Sequence, residues 1–200
     1  MNDTMENGNA LICIPDITGF TRFMAETDIE FSRKIIPPLL RSIVSSNNLN
    51  MVVGEIEGDA VVFYRFGAIP TLNDLLEQCL TFYTNFNEQL KTLMTDHADD
   101  FAKHISSNRL SLKVVVHAAD ITSTHIEGIT KLIGEDMVVV HKLLKNSIQV
   151  SDYILLTEKL LANYTKEEIE TILSRFQMNK GMDEYEYIGK INYNYITLTP

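Results

Sequence analysis

The sequence predicts an α+β domain in which helices pack on a mostly antiparallel sheet. Three observations lead there. Apolar or alternating runs of strand length recur from "ALICIPD" near the start to "YEYIGKINYNYITL" at the end. Amphipathic helical stretches separate them. Several strand-like runs come in pairs joined by a tight turn, a connection open to antiparallel neighbours and closed to parallel ones.

Each element has its own reason. "ALICIPD" is continuously apolar, as a strand buried on both faces must be. A helical region follows from about Thr18. In "SRKIIPPLLRSIVSSNN", Pro37 and Pro38 predict an interrupted helix that restarts with a proline in its first turn. "MVVGEIEGDAVVFYRF" reads as a tight hairpin with Glu57-Gly58 at its centre. Leu72, Leu75, Leu76, Cys79, Leu80, Tyr83, Phe86, Leu90 and Leu93 recur at helical spacing and define one long amphipathic helix. "LSLKVVVHAADI" is a strand that continues as a hairpin into "TSTHIEG". "GEDMVVVHKLLKN" is helical despite its valines, because Met137, Val140, His141 and Leu144 share a face. "DYILLT" is a short strand with a helix behind it, and Thr165 with Glu168 forms a capping box for "KEEIETILSRF". The closing run alternates as a hairpin. The order β-α-α-β-β-α-β-β-α-β-α-α-β-β fits a ferredoxin-like sandwich with helices over one face. No linker or repeat divides it, so residues 10–200 read as a single domain and the polar "MNDTMENGN" over 1–9 as a loose tail.

Composition narrows the function. The chain has 200 residues, a formal charge of −10 and a pI of about 4.9. Gripping nucleic acid needs a basic face that displaces counterions, and an anionic membrane surface asks for the same, so neither partner is expected. An acidic protein can still bind a nucleotide when a divalent cation supplies the positive charge. Cys13 and Cys79 lie in strongly apolar segments and read as free thiols of a reducing compartment. With no leader-like or membrane-length apolar run, the expected location is the cytoplasm.

Two aspartates carry the chemical interest. Asp16 ends the first strand, and Asp59 follows Gly58 in the hairpin turn. If strand and hairpin are neighbours, the carboxylates converge at one sheet edge, and paired carboxylates suit Mg²⁺ or Mn²⁺. The segment after Asp16 offers backbone N–H groups at a helix start, which bind phosphate oxygens. The competing readings are ordinary ones: Asp16 as a helix cap and Asp59 as a turn residue.

These segments resemble the class III adenylate and guanylate cyclases. "PDITGFT" is similar to their D-I-x-G-F-T signature and "GEIEGDAVVF" to their G-D hairpin. "LKVVVHAADI" resembles the R-x-G-x-H-x-G strand, "IGEDMVVVHKLL" stands in place of the G-x-x-V-N-x-A-x-R-L helix, and "YIGKINYNYITL" resembles the closing G-K hairpin. The motifs keep the family's order from about residue 10 to 198. The resemblance implies that Asp16, Asp59 and the Ile17 backbone carbonyl hold two Mg²⁺ or Mn²⁺ ions. It implies that Thr18, Gly19, Phe20 and Thr21 cradle a nucleoside triphosphate, and that Lys190 grips it from the other subunit of a homodimer. Glu55 and Lys131 take the base-reading positions. A carboxylate accepts from guanine N1–H and N2–H₂ and an ammonium donates to O6, so GTP is preferred slightly over ATP; the pair equally suits a plain salt bridge.

The chain departs from the family where the family has an Asn that orients the ribose and an Arg that steadies charge at the α-phosphate. Val138 and Lys142 stand there; valine cannot hydrogen-bond, and lysine keeps the charge without the planar fork. The expectation is a divergent cyclase-like domain that binds a purine nucleoside triphosphate and forms a cyclic nucleotide, with Lys142 as its catalytic cation. The alternative is a degenerate module kept for nucleotide sensing or dimerisation. His141 is the group that could replace the lost donors; a core histidine is the plainer reading. His97, Asp99 and Asp100 read as a solvated helix end, His117 and His125 as lone histidines, Glu167, Glu168 and Glu170 as an exposed helix start, and the closing tyrosines as alternating strand residues.

Overall fold

In the computed structural model of this chain, which describes residues 6–104 and 110–198, the spine of the sheet is β1 (Asn7–Thr18). Residues 10–14 are wholly buried because both faces of this strand are covered, which is why its sequence does not alternate. The strand starts earlier than expected: Asn7, Gly8 and Asn9 already pair with Thr122, Ile121 and Asp120, while residues 1–5 of the expected tail lie outside the described residues. β1 runs antiparallel to β3 (Ala60–Phe66) on one side and to β4 (Ser111–Ile126) on the other. Outside β3 lies β2 (Val52–Glu57). Beyond β4 come β6 (Tyr153–Thr157), β8 (Gly189–Thr197) and the edge strand β7 (Met178–Tyr185), while β5 (Ile129–Ile133) folds back on the end of β4. The β4–β6 pairing is parallel and the other described pairings are antiparallel.

Alternating residues of the central strands feed two cores. Leu11, Cys13, Val61, Phe63, Val114 and Val116 face the larger one, under α1 (Phe20–Glu26), α2 (Ile29–Ser45), α3 (Leu72–Asp96), α6 (Glu158–Leu161) and α7 (Lys166–Leu173). In α3 the expected stripe, apart from the half-buried Leu80, is buried together with Phe82, which stacks on Phe63 at 5.2 Å; each such buried side chain contributes about 1.5–3 kcal/mol. Gln78 is buried in the same helix and is satisfied: its Oε1 accepts from the Asn48 and Leu49 N–H groups, and its Nε2 donates to Ser46 O.

Three expectations need correction. α2 runs unbroken through Pro37 and Pro38. The carbonyls of exposed Arg33 and Lys34, which lose their helical donors, face water, while Phe31, Ile35, Leu39 and Ile43 hold the other side in the core. A further helix, α4 (Ala98–His104), follows a break at His97, and its Phe101 meets Phe31 edge-on at 5.0 Å. Finally, helices do not cover one face alone: α5 (Glu135–Leu143) packs on the opposite face with Ile12, Ile14, Val62, Val115 and Leu155. Its buried side is Asp136, Met137, Val139, Val140 and Leu143, leaving His141 partly exposed, because a run of valines fits more than one helical face. The capping box of Thr165 and Glu168 is present at α7. Among the described residues, no helix is long and apolar enough to cross a membrane.

Candidate functional site

The register brings the two aspartates together. Asp16 lies opposite Ala60 of β3, one residue past the Gly58–Asp59 turn, and the Ile17 N–H donates to Asp59 O at 3.2 Å. Gly58 takes the left-handed φ of 61° that this two-residue turn demands. Asp16 does not cap a helix: it sits inside β1, and α1 is capped by Gly19 with no side-chain bond. Asp16 is 7% exposed, and its Oδ2 accepts from Lys113 Nζ at 2.9 Å. Burial, then the neighbouring Asp16 carboxylate, push the Asp59 carboxyl up to about 7. A buried and a half-buried acid, with one ammonium bonded to Asp16, form an oxygen-only donor set short of positive charge, which is what a hard divalent cation compensates.

Lys113 is a site residue that sequence reasoning missed. Its local signal is a lysine inside the apolar "LKVVVH"; that it meets Asp16 follows from the β1–β4 register, where the two are paired.

The remaining predicted residues fall into separate groups. Thr18 gives its hydroxyl to Ser151 O at 3.0 Å, while Gly19, Phe20 and Thr21 begin α1 at the same corner, with Phe20 beside Gly58. Glu55 and Lys131 form a salt bridge of 3.2 Å between β2 and β5. His141, at the last turn of α5, is no core histidine. Its Nε2 lies 3.9 Å from Glu55 Oε1 and its Nδ1 lies 3.6 Å from Glu57 Oε2. Val138 and Lys142 are exposed on the outer side of α5.

Lys190 stands apart. Asp16 aligns through Lys113 and Tyr153 with Thr197 of β8, so Lys190 lies roughly 23 Å back along that strand and about 14 Å across the sheet. It lines instead a cavity of about 540 Å³ with His117, Asp136, Lys159 and Asn192. There a second polar centre is built. The His117 Nε2–H donates to the acceptor-only carboxylate of Asp136 at Oδ1, 2.9 Å away, and its Nδ1 is hydrogen-bonded with the Thr157 hydroxyl at 2.8 Å. The Asp120 N–H and Lys159 Nζ donate to Asp136 Oδ2 at 2.7 and 2.6 Å. Burial raises the Asp136 pKa, but the bonds from His117, Lys159 and Asp120 outweigh it and hold the carboxyl well below the usual range.

The histidines are not a shared metal site: His117 is buried here, and His125 faces Thr130 across the β4–β5 hairpin at 3.2 Å. Asp100 pairs with Lys34 and Lys103 on the surface, as a helix end does.

A family model described as a protein of unknown function, DUF2652, matches residues 36–153, which takes in Asp59, Glu55, Lys131 and Lys142 but not Asp16 or Lys190. The uncharacterized protein Rv2561/Rv2562 of Mycobacterium tuberculosis is 26% identical over 162 residues, 80% of this chain and 72% of that one. Among solved structures, the guanylyl cyclase Cya2 superposes with a TM-score of 0.72 at 12% identity, covering 98% of this chain and 94% of its own. The adenylyl cyclase CyaB from P. aeruginosa gives 0.69 at 12% identity, covering 98% and 97%. The guanylate cyclase domain of RhGC from Catenaria anguillulae, solved in complex with GTP, gives 0.64 at 15% identity, covering 96% and 97%. The fold is that of the class III cyclase catalytic domains.

Proposed function

The chain belongs to the DUF2652 family of proteins of unknown function, and we propose that this member binds a purine nucleoside triphosphate with two Mg²⁺ or Mn²⁺ ions at the Asp16–Asp59 corner. The observation that carries the reading is the meeting of the two acids, with Asp59 pushed up to about 7 for want of compensating charge. Asp16, Asp59 and the Ile17 carbonyl are oxygen donors throughout and fit these ions. Bound there, the ions would lower the pKa of the ribose 3′-hydroxyl and neutralise phosphate charge.

The chain's own residues do the rest. Asp16 releases Lys113 when its charge is otherwise balanced, and the freed ammonium is available to a phosphate. The segment Thr18 to Thr21 offers backbone N–H groups beside the acids. Glu55 accepts from the guanine edge and Lys131 donates to O6, which favours GTP slightly over ATP. Lys190 lies too far from Asp16 to serve the same corner, so a second copy arranged head to tail supplies it, and the site is completed in a homodimer. Lys142 is the cation offered to the α-phosphate. The 3′-hydroxyl attacks the α-phosphorus, pyrophosphate leaves, and a cyclic nucleotide forms.

Exposed Val138, where a ribose-orienting donor is expected, favours a second reading: a module that binds the nucleotide or dimerises without turning it over. Incubation with each nucleoside triphosphate and Mn²⁺, read by product separation and thermal shift, tests both. Cyclic product supports the enzyme. Metal-dependent stabilisation without product supports the sensor. Absence of any metal-dependent shift removes the nucleotide reading.

A further inference from the structure

We propose that Glu55, Glu57 and His141 form a second divalent-cation site, suited to a transition ion such as Zn²⁺ and separate from the Asp16–Asp59 pair. The Glu-Ile-Glu pattern of β2 sends both carboxylates to one face of the strand. His141 comes down on them from the last turn of α5. One donor atom from each of the three side chains can be chosen so that all lie within 4.8 Å of one another.

The separations favour a shared ion over direct bonding. His141 Nε2 stands 3.9 Å from Glu55 Oε1 and Nδ1 stands 3.6 Å from Glu57 Oε2, both beyond hydrogen-bond length; an ion takes only one of these nitrogens, and the set of one donor per residue then closes within 4.8 Å. Two ligands held about 2.1 Å from a tetrahedral ion are roughly 3.4 Å apart, so a small inward movement completes the geometry. Lys131 holds Glu55 Oε2 at 3.2 Å, which leaves Oε1 aimed at the histidine and fixes the carboxylate as an outer-shell partner does. Glu57 is 69% exposed at its side chain, so water can complete the coordination. A nitrogen ligand separates this site chemically from the two aspartates. Oxygen-only sets take Mg²⁺ and Mn²⁺, whereas an imidazole with two carboxylates prefers Zn²⁺, Co²⁺ or Ni²⁺. The ion would tie α5 to β2, linking the helix that carries Lys142 to the hairpin that carries Asp59, and would compete with the guanine edge for the Glu55 carboxylate.

The test is calorimetric titration of the tag-free, metal-stripped full chain with Zn²⁺ alone. Saturable one-site binding is expected once Asp16→Asn and Asp59→Asn have removed the acid pair, and the His141 and Glu57 variants are read in that background. His141→Ala and Glu57→Gln should each weaken it by at least the ~10–100-fold that loss of an outer-shell partner costs, while Asp16→Asn combined with Asp59→Asn leaves it in place. If His141→Ala does not fold, His141→Phe keeps the ring without its nitrogens. No saturable uptake, uptake that survives loss of His141, or uptake that disappears with the two aspartates would overturn the proposal.

Discussion

At the residue scale, Asp59 is the group whose ionisation reports most on the site. Its folded pKa of about 7 stands above the ordinary 3.8, so in metal-free protein it favours the fold fully below 3.8 and loses that contribution as pH rises through about 7. Asp59→Asn should therefore flatten the decline in stability between about pH 4 and 7. The same variant should abolish stabilisation by Mn²⁺, which in wild type grows over that interval as the carboxyl ionises. Thermal melts with and without Mn²⁺ across the range check both. Asp136 has the opposite sign. Its depressed pKa contributes stability above the unfolded value near 3.8, and that contribution is lost as pH falls further. Asp136→Ala leaves the His117 and Asp120 donors without their acceptor and should cost about 1–3 kcal/mol at neutral pH. Urea denaturation should show the deficit shrinking in acid.

At the element scale, α2 and α5 show where sequence patterns mislead. Proline predicts a break, but the predicted break assumes that nothing else holds the helix; five buried apolar side chains of α2, Phe31, Ile35, Ile36, Leu39 and Ile43, hold it through both prolines. Pro37→Ala restores a donor for Arg33 O and should stabilise the fold by about 1–2 kcal/mol, after allowing for the roughly 0.4–1 kcal/mol by which proline restricts the unfolded chain. In α5 the apolar run 137–140 is compatible with several faces, and contact with the second face of the sheet selects the one bearing Val139 and Leu143. Val138 and Lys142 are thereby left on the outer side, so Val138→Asn with Lys142→Arg should change stability by less than about 0.5 kcal/mol. Product assays on this double variant should show cyclase activity rise above wild type.

At the scale of the whole molecule, legibility depended on whether a feature lies within one segment. Strand runs, the β2–β3 turn and the Thr165 capping box are local, and they stand where the sequence pattern puts them. Asp16 and Asp59 were legible as a strand end and a turn, and their meeting required only that β1 and β3 be neighbours. The Lys113 contact needed the β1–β4 register. The network of His117, Asp136, Thr157 and Lys159 draws on β4, α5, β6 and α6, and no spacing in the chain announces it. The separation of Lys190 from Asp16 is likewise a property of the assembled sheet. It carries a prediction: if the proposed head-to-tail dimer forms, Lys190→Ala and Asp16→Asn, each expected to be inactive alone, should recover part of the nucleotide response when mixed, because one site of the mixed dimer would be complete.

The proposal that the acid pair holds nucleotide through divalent cations is decided by calorimetric titration of GTP into the chain, with Mn²⁺, with chelator, and with Asp16→Asn and Asp59→Asn in turn. Saturable binding that requires Mn²⁺ and is lost in both variants is expected. GTP binding that is indifferent to the metal, or that persists without either aspartate, would contradict it.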